Sequence, residues 1–211
     1  MSFYDNFKNT FQKAIFFFFR VEVINADKEP ISGALICSNH LSNIDPIIIC
    51  AAMKKQVCFM AKKELFRIPL LSGLLKKLGA FPINRGAVDM SSMKTAIKLL
   101  DENKFVGLFP QGTRYASIAP RLTEVKSGAG MLLSRSKADV LPVAIITKNN
   151  KFKLSRKVYV VLGDVIKYED LGYSDKTREE FNRVSAYIFE KICDLHEQYS
   201  YLVKDNANEK Q

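Results

Sequence analysis

The sequence predicts an α/β fold: one domain with a largely parallel or mixed central sheet flanked by helices, and an amphipathic helix at the N-terminus. Three observations lead there. Apolar runs of strand length recur at 34–37, 57–61, 105–109, 140–146 and 158–162, and they alternate with segments of helical periodicity. Two of these runs stop abruptly at polar loops, as strands do at the ligand edge of an α/β sheet. A chain of 211 residues, 47% hydrophobic, suffices for one sizeable core and is short for two. The expected organisation is a single domain over 1–211: an N-terminal helix at 1–19, a motif-bearing region at 20–165 and a C-terminal helix at 175–203.

In chain order, residues 3–18 set Phe3, Phe7, Phe11, Ile15 and Phe18 at helical spacing, with Lys8 and Lys13 off that stripe. Such a face suits an interfacial helix among lipid headgroups, or a helix that caps its own core. Arg20-Val21-Glu22-Val23-Ile24 alternates like an edge strand, and a polar connection leads to the run at 34–37. Asp45 before Pro46 reads as a helix start, an oxygen at the cap and proline at the first helical position. Residues 62–78 interleave basic and apolar side chains, fit either for docking on lipid or for an ordinary amphipathic helix.

A short apolar stretch at 79–83 then delivers Arg85. Residues 90–100 read as a helix with Met93, Ile97 and Leu100 on one side. A further helix is entered through Lys126-Ser127-Gly128-Ala129-Gly130. The last long element, from about 177 to 202, opens on Thr177 and Glu180 as a capping box. Its buried stripe is Phe181, Val184, Ile188, Ile192 and Leu195, and His196 beside it is taken as structural. No repeat, linker or domain boundary interrupts the chain.

Lys and Arg outnumber Asp and Glu by 32 to 22, a net charge of +10 that calls for an anionic partner. Nucleic acid is the poorer fit, because no nucleic-acid motif is present and the basic residues are interleaved with Leu and Phe. The four cysteines (Cys37, Cys50, Cys58, Cys193) lack metal-ligand spacing and read as small buried hydrophobes in a reducing compartment. No stretch nears the roughly 18–20 apolar residues that span a bilayer, and no secretory cleavage site follows the phenylalanine run at 16–19. The chain is expected neither to cross the membrane nor to be exported.

The candidate chemistry lies in the two polar loops. His40 and Asp45 sit on a tight connection, where a folded-back carboxylate fixes an imidazole's tautomer and stabilises its protonated form. A base of this kind needs no protein nucleophile, since it can act on a hydroxyl of the substrate. On the stretch by itself the structural alternative, in which the two side chains only close the turn and cap the helix, is the favoured reading. The second loop, Pro110-Gln111-Gly112-Thr113-Arg114, leaves the run at 105–109. In an α/β sheet the two loops can meet on one edge, which spacing permits without establishing.

Four blocks, in order, resemble the glycerophospholipid acyltransferases, specifically the 1-acyl-sn-glycerol-3-phosphate (lysophosphatidate) acyltransferases. Asn39-His40-Leu41-Ser42-Asn43-Ile44-Asp45-Pro46 resembles the family's His-x4-Asp motif, and Gly79-Ala80-Phe81-Pro82-Ile83-Asn84-Arg85 its second block. Phe109-Pro110-Gln111-Gly112-Thr113-Arg114 is similar to Phe-Pro-Glu-Gly-Thr-Arg, with Gln111 in the place of glutamate. Val140-Leu141-Pro142-Val143 fits the fourth block. The resemblance covers about 20–165 and implies an acyl transfer from a thioester, on coenzyme A or acyl carrier protein, to lysophosphatidate.

The family implies His40 as general base and Asp45 as its orienting group. It implies Arg85 and Arg114 as phosphate ligands, with Gln111, Gly112, Thr113 and Lys126 in the substrate site. Gly112 lets backbone approach closely, and N–H groups near it are candidates to stabilise an oxyanion. For Gln111 the expected partner is a neighbouring arginine. No metal or redox cofactor is implied. The expected location is the cytoplasmic side of an anionic membrane, peripheral or monotopic. The alternatives are a catalytically silent lipid-binding relative, motivated by Gln111, and an acyltransferase for another lysolipid; a serine hydrolase lacks its Gly-x-Ser-x-Gly elbow.

Overall fold

The computed structural model describes residues 12–13, 15–83, 90–153 and 156–204. Seven strands form one sheet in the order β1-β7-β6-β2-β5-β3-β4. They are β1 (Val21–Ile24), β2 (Ala34–Ser38), β3 (Val57–Lys62), β4 (Phe81–Ile83), β5 (Phe105–Leu108), β6 (Asp139–Thr147) and β7 (Val158–Leu162). All neighbours are parallel except β6 and β7. The central strands are buried on both faces, which is why they read as continuous apolar runs instead of alternating patterns. Pro142 is tolerated in β6 because it stands just before β7 begins to pair, at Val143 with Leu162.

Helices cover both faces. One is packed by α1 (helical at 15–19) and α2 (Asp45–Ala52), which share a core with Leu141, Ile145 and Val160. The other is packed by α4 (Met90–Asp101), α5 (Gly128–Ser136) and α6 (Arg178–Gln198), around Leu35, Val106 and Tyr159. Between the two groups in the chain lies α3 (Pro69–Lys77), which follows a 3-10 turn at Lys63–Arg67. Glycine is demanded where α5 meets α6: a Cβ on Gly130 would lie 2.2 Å from the Phe181 carbonyl oxygen. Gly130 N–H donates to Ser185 Oγ at 2.9 Å across that contact.

The C-terminal helix follows the expected stripe, with Val184, Ile188 and Ile192 buried. Thr177 caps it, accepting from Glu180 N at 3.3 Å. The Glu180 carboxylate, toward which the Thr177 backbone N–H also points, collects more than the box: Ser174 N and Oγ on one oxygen, and Asp175 N and Lys176 N on the other.

The N-terminal stripe divides. Phe3, Phe7 and Phe11 lie outside the described residues; Ile15 is buried in the core, whereas Phe18 and its neighbour Phe17 are exposed. The cysteines are free thiols, Cys37, Cys58 and Cys193 buried and Cys50 partly so. Among the described residues no helix is long and apolar enough to cross a membrane.

Candidate active site

The two polar loops converge because β2 and β5 are parallel neighbours, Cys37 in register with Leu108, so both chains leave the sheet on one edge. Asn39, the first residue past β2, is fully buried and acts as an extra rung. Its Nδ2 donates to Ile145 O at 3.0 Å, and Ile145 N donates to its Oδ1 at 2.7 Å. With the backbone released from the ladder, the chain turns, and Asp45 N donates to Ser42 O at 3.3 Å to close it.

Asp45 is the first residue of α2, not its cap; the cap position is Ile44 and Pro46 is second. Its carboxylate folds back instead over the loop. Oδ2 accepts from His40 Nδ1 at 2.6 Å, from Leu41 N at 2.6 Å and from Ser42 N at 2.8 Å. Oδ1 is buried with no hydrogen-bond partner among the described residues. A carboxylate only accepts, so Nδ1 carries the imidazole proton and Nε2 presents its lone pair. His40 is 8% exposed and Asp45 0%, so the pair is shielded from water on nearly every side.

The plane of the imidazole is set by stacking. Phe109 lies on it at 3.9 Å between centroids and 10° between planes, and Phe59 continues the column at 5.5 Å and 20°. This column borders a cavity of about 400 Å³, walled mostly by apolar groups such as Met60, Met93, Leu108 and Met131. His40 and the start of α5, at Ser127 and Gly128, also line it. The N-terminal turn of a helix carries partial positive charge, which suits anionic groups nearby.

The structure disposes the substrate-site candidates differently from one another. Thr113 and Arg114 are exposed at the loop surface, and among the described residues no hydrogen bond or ion pair engages the Arg114 side chain. Gly112 adopts φ +67°, beside the Lys126 stem, and its N–H donates to Phe109 O at 2.9 Å. That amide serves the turn and is not free for an oxyanion. Lys126 Nζ pairs with Glu124 at 3.0 Å, both well exposed, and that hydrogen bond raises its pKa. Arg85 lies outside the described residues.

Gln111 departs most from expectation. Its described partners are not arginines: Oε1 accepts from His40 N at 2.6 Å, and Nε2 donates to Thr123 Oγ1 at 2.7 Å. It is a buried bracket behind His40 and does not line the cavity. His196 bonds Asn150 at 2.9 Å, away from the His40 cavity, and burial lowers its pKa.

Sequence reasoning missed the roles of Asn39, Phe59, Phe109 and Thr123. Asn39 lay inside a recognised block, but its clamp on β6 spans 106 positions. Among the described residues, no Ser or Cys is hydrogen-bonded to His40. Burial holds the Cys37 thiol far above its ordinary range and that of Cys58 above it, so neither supplies a thiolate.

A histidine oriented by a buried carboxylate thus stands on the carboxyl edge of a mostly parallel α/β sheet and faces an apolar cavity. The family model described as Acyltransferase matches residues 20–146, and the chain belongs to that family. It is 31% identical over 186 residues to the 1-acyl-sn-glycerol-3-phosphate acyltransferase of Bacillus subtilis, covering 86% of this chain and 91% of that one. The enzyme of the same name from Borreliella burgdorferi is 29% identical over 123 residues, 57% of this chain and 48% of that one. Among solved structures, the 1-acyl-sn-glycerophosphate acyltransferase PlsC of Thermotoga maritima has the same fold. It superposes with a TM-score of 0.68 at 20% identity, over 93% of this chain and 78% of that one.

Proposed function

We propose that this protein transfers a fatty acyl group from a thioester to the free hydroxyl of 1-acylglycerol 3-phosphate, forming phosphatidate. The observation that carries the reading is the His40–Asp45 dyad, its Nδ1 bound to the carboxylate at 2.6 Å and its ring lining the apolar cavity. His40 Nε2 takes the proton of the acceptor hydroxyl as that oxygen attacks the thioester carbonyl. Asp45 stabilises the imidazolium so formed. Collapse of the tetrahedral intermediate breaks the carbon–sulfur bond, and the departing thiolate takes the proton back from His40.

Coenzyme A or acyl carrier protein carries the donor, and no metal or redox cofactor takes part. The apolar walls suit an acyl chain. Arg114, with Arg85, is assigned to the acceptor phosphate, for which a guanidinium offers bidentate donors. The protein works peripherally at an anionic membrane on its cytoplasmic side. Gln111 brackets the base from behind, which supports an active enzyme over a silent lipid-binding relative.

The test is an acyl-transfer assay reading free thiol and lipid product together. His40→Ala should lower turnover by about 10²–10⁴-fold with the fold intact. A folded His40→Ala variant that turns over at the parent's rate would sink the mechanism.

A further inference from the structure

Gln111 is 1% exposed, and both ends of its amide are engaged. The oxygen accepts the His40 N–H at 2.6 Å while the nitrogen donates to Thr123 Oγ1 at 2.7 Å. The hydroxyl proton of Thr123 goes in turn to Pro120 O at 2.6 Å. Each group is used in one sense only. The reverse amide orientation would set NH₂ against the His40 N–H, donor against donor. Thr123 is an acceptor for that NH₂ because its own proton is directed at Pro120.

We infer that Thr123 is a positioning residue for His40, acting through Gln111 on the backbone of the base. The surrounding segment makes the relay a built one. Tyr115 N donates to His40 O at 2.8 Å, so both backbone groups of the histidine are gripped from the stretch that follows β5. That stretch is itself anchored on α6. Arg121, two residues before Thr123, bonds Glu197 through Nε at 2.6 Å and Nη2 at 3.0 Å, and Asp194 through Nη2 at 2.7 Å. Lys126 N closes it onto Pro110 O at 2.8 Å. The consequence for turnover rests on the acyl-transfer reading above; the relay itself does not.

Thr123→Val keeps the shape and removes the hydroxyl, leaving the Gln111 NH₂ buried without its acceptor. Deuterium exchange at the His40 amide, followed by NMR, should quicken about tenfold relative to the Ile36 amide on β2, which reports opening of the whole domain. Turnover should fall by about tenfold while acceptor KM stays within about twofold, because a misaimed base impairs the chemical step. Thr123→Ser, which restores the hydroxyl, should return both quantities toward the parent's. The inference is overturned if the His40 and Ile36 amides quicken together, or if the serine variant is as impaired as the valine one. A parent protein that moves no acyl group defeats the proposed function instead, and the exchange measurement still decides the relay.

Discussion

At the scale of single residues, the site depends on a glycine that no motif marks. A Cβ on Gly107 would fall 2.2 Å from Phe59 Cε1 and 2.3 Å from Cζ, well inside van der Waals contact. The Phe59 ring fills the space over β5, stacks on Phe109, and through it fixes the face of His40. Gly107→Ala should therefore displace the column and cost about 1–3 kcal/mol, the usual penalty of overpacking. Turnover should drop along with stability. Adding Phe59→Leu removes Cε1 and Cζ, the two atoms in closest approach, and leaves only Cδ methyls that can rotate away, so the double variant should regain stability over Gly107→Ala alone in urea unfolding. Parental stability in the single variant would show that the ring moves aside freely. The glycine was visible in the sequence, but its purpose depends on the pairing of Phe59 with Gly107 across β3 and β5. Apolar periodicity does not encode that register.

At the scale of elements, most of the fold was legible. Strands buried on both faces leave unbroken apolar runs, and helices leave a 3.6-residue stripe, so their places followed from solvation alone. Boundaries and partners were less legible, because they depend on which backbone groups find acceptors. Asp45 illustrates this: read as a cap, it is the first helical residue, its carboxylate recruited by three donors from the preceding turn. Glu180 illustrates it again. Four hydrogen bonds from residues 174–176 hold its carboxylate, and those from Ser174 weigh most in lowering its pKa to about 2. A folded-state pKa below the unfolded one stabilises the protein above the unfolded value, and that contribution is lost as pH falls through the folded value. The start of α6 should thus weaken between about pH 4.5 and pH 2. Glu180→Gln cannot titrate, so the gap between parent and variant urea midpoints should narrow over that window. A gap that stays constant with pH would show that the carboxylate contributes nothing through its charge.

At the scale of the whole molecule, charge and exposed apolar side chains bear on the membrane attachment proposed above. The excess of 32 basic over 22 acidic residues is set beside large side chains left in water, among them Phe17 at 79% and Phe18 at 51% exposure. Leu65 and Ile68 are exposed too, in a segment that also carries Lys62, Lys63 and Arg67. The peripheral attachment proposed above then has two separable terms. Each Lys or Arg near an anionic surface contributes about 1 kcal/mol at physiological salt, and this is screened as the Debye length shrinks from about 8 Å to about 3 Å at 1 M. Burying an aromatic or aliphatic side chain contributes about 1.5–3 kcal/mol and does not weaken with simple salt. Binding to vesicles containing phosphatidylserine should fall steeply between 0.1 and about 1 M sodium chloride yet level off above zero. The residual binding belongs to the apolar term, so Phe17→Ser with Phe18→Ser should lower that plateau and leave the low-salt slope nearly unchanged. A double variant with the parent's plateau would remove these phenylalanines from the membrane contact. Loss of all binding at high salt in the parent would make the attachment purely electrostatic.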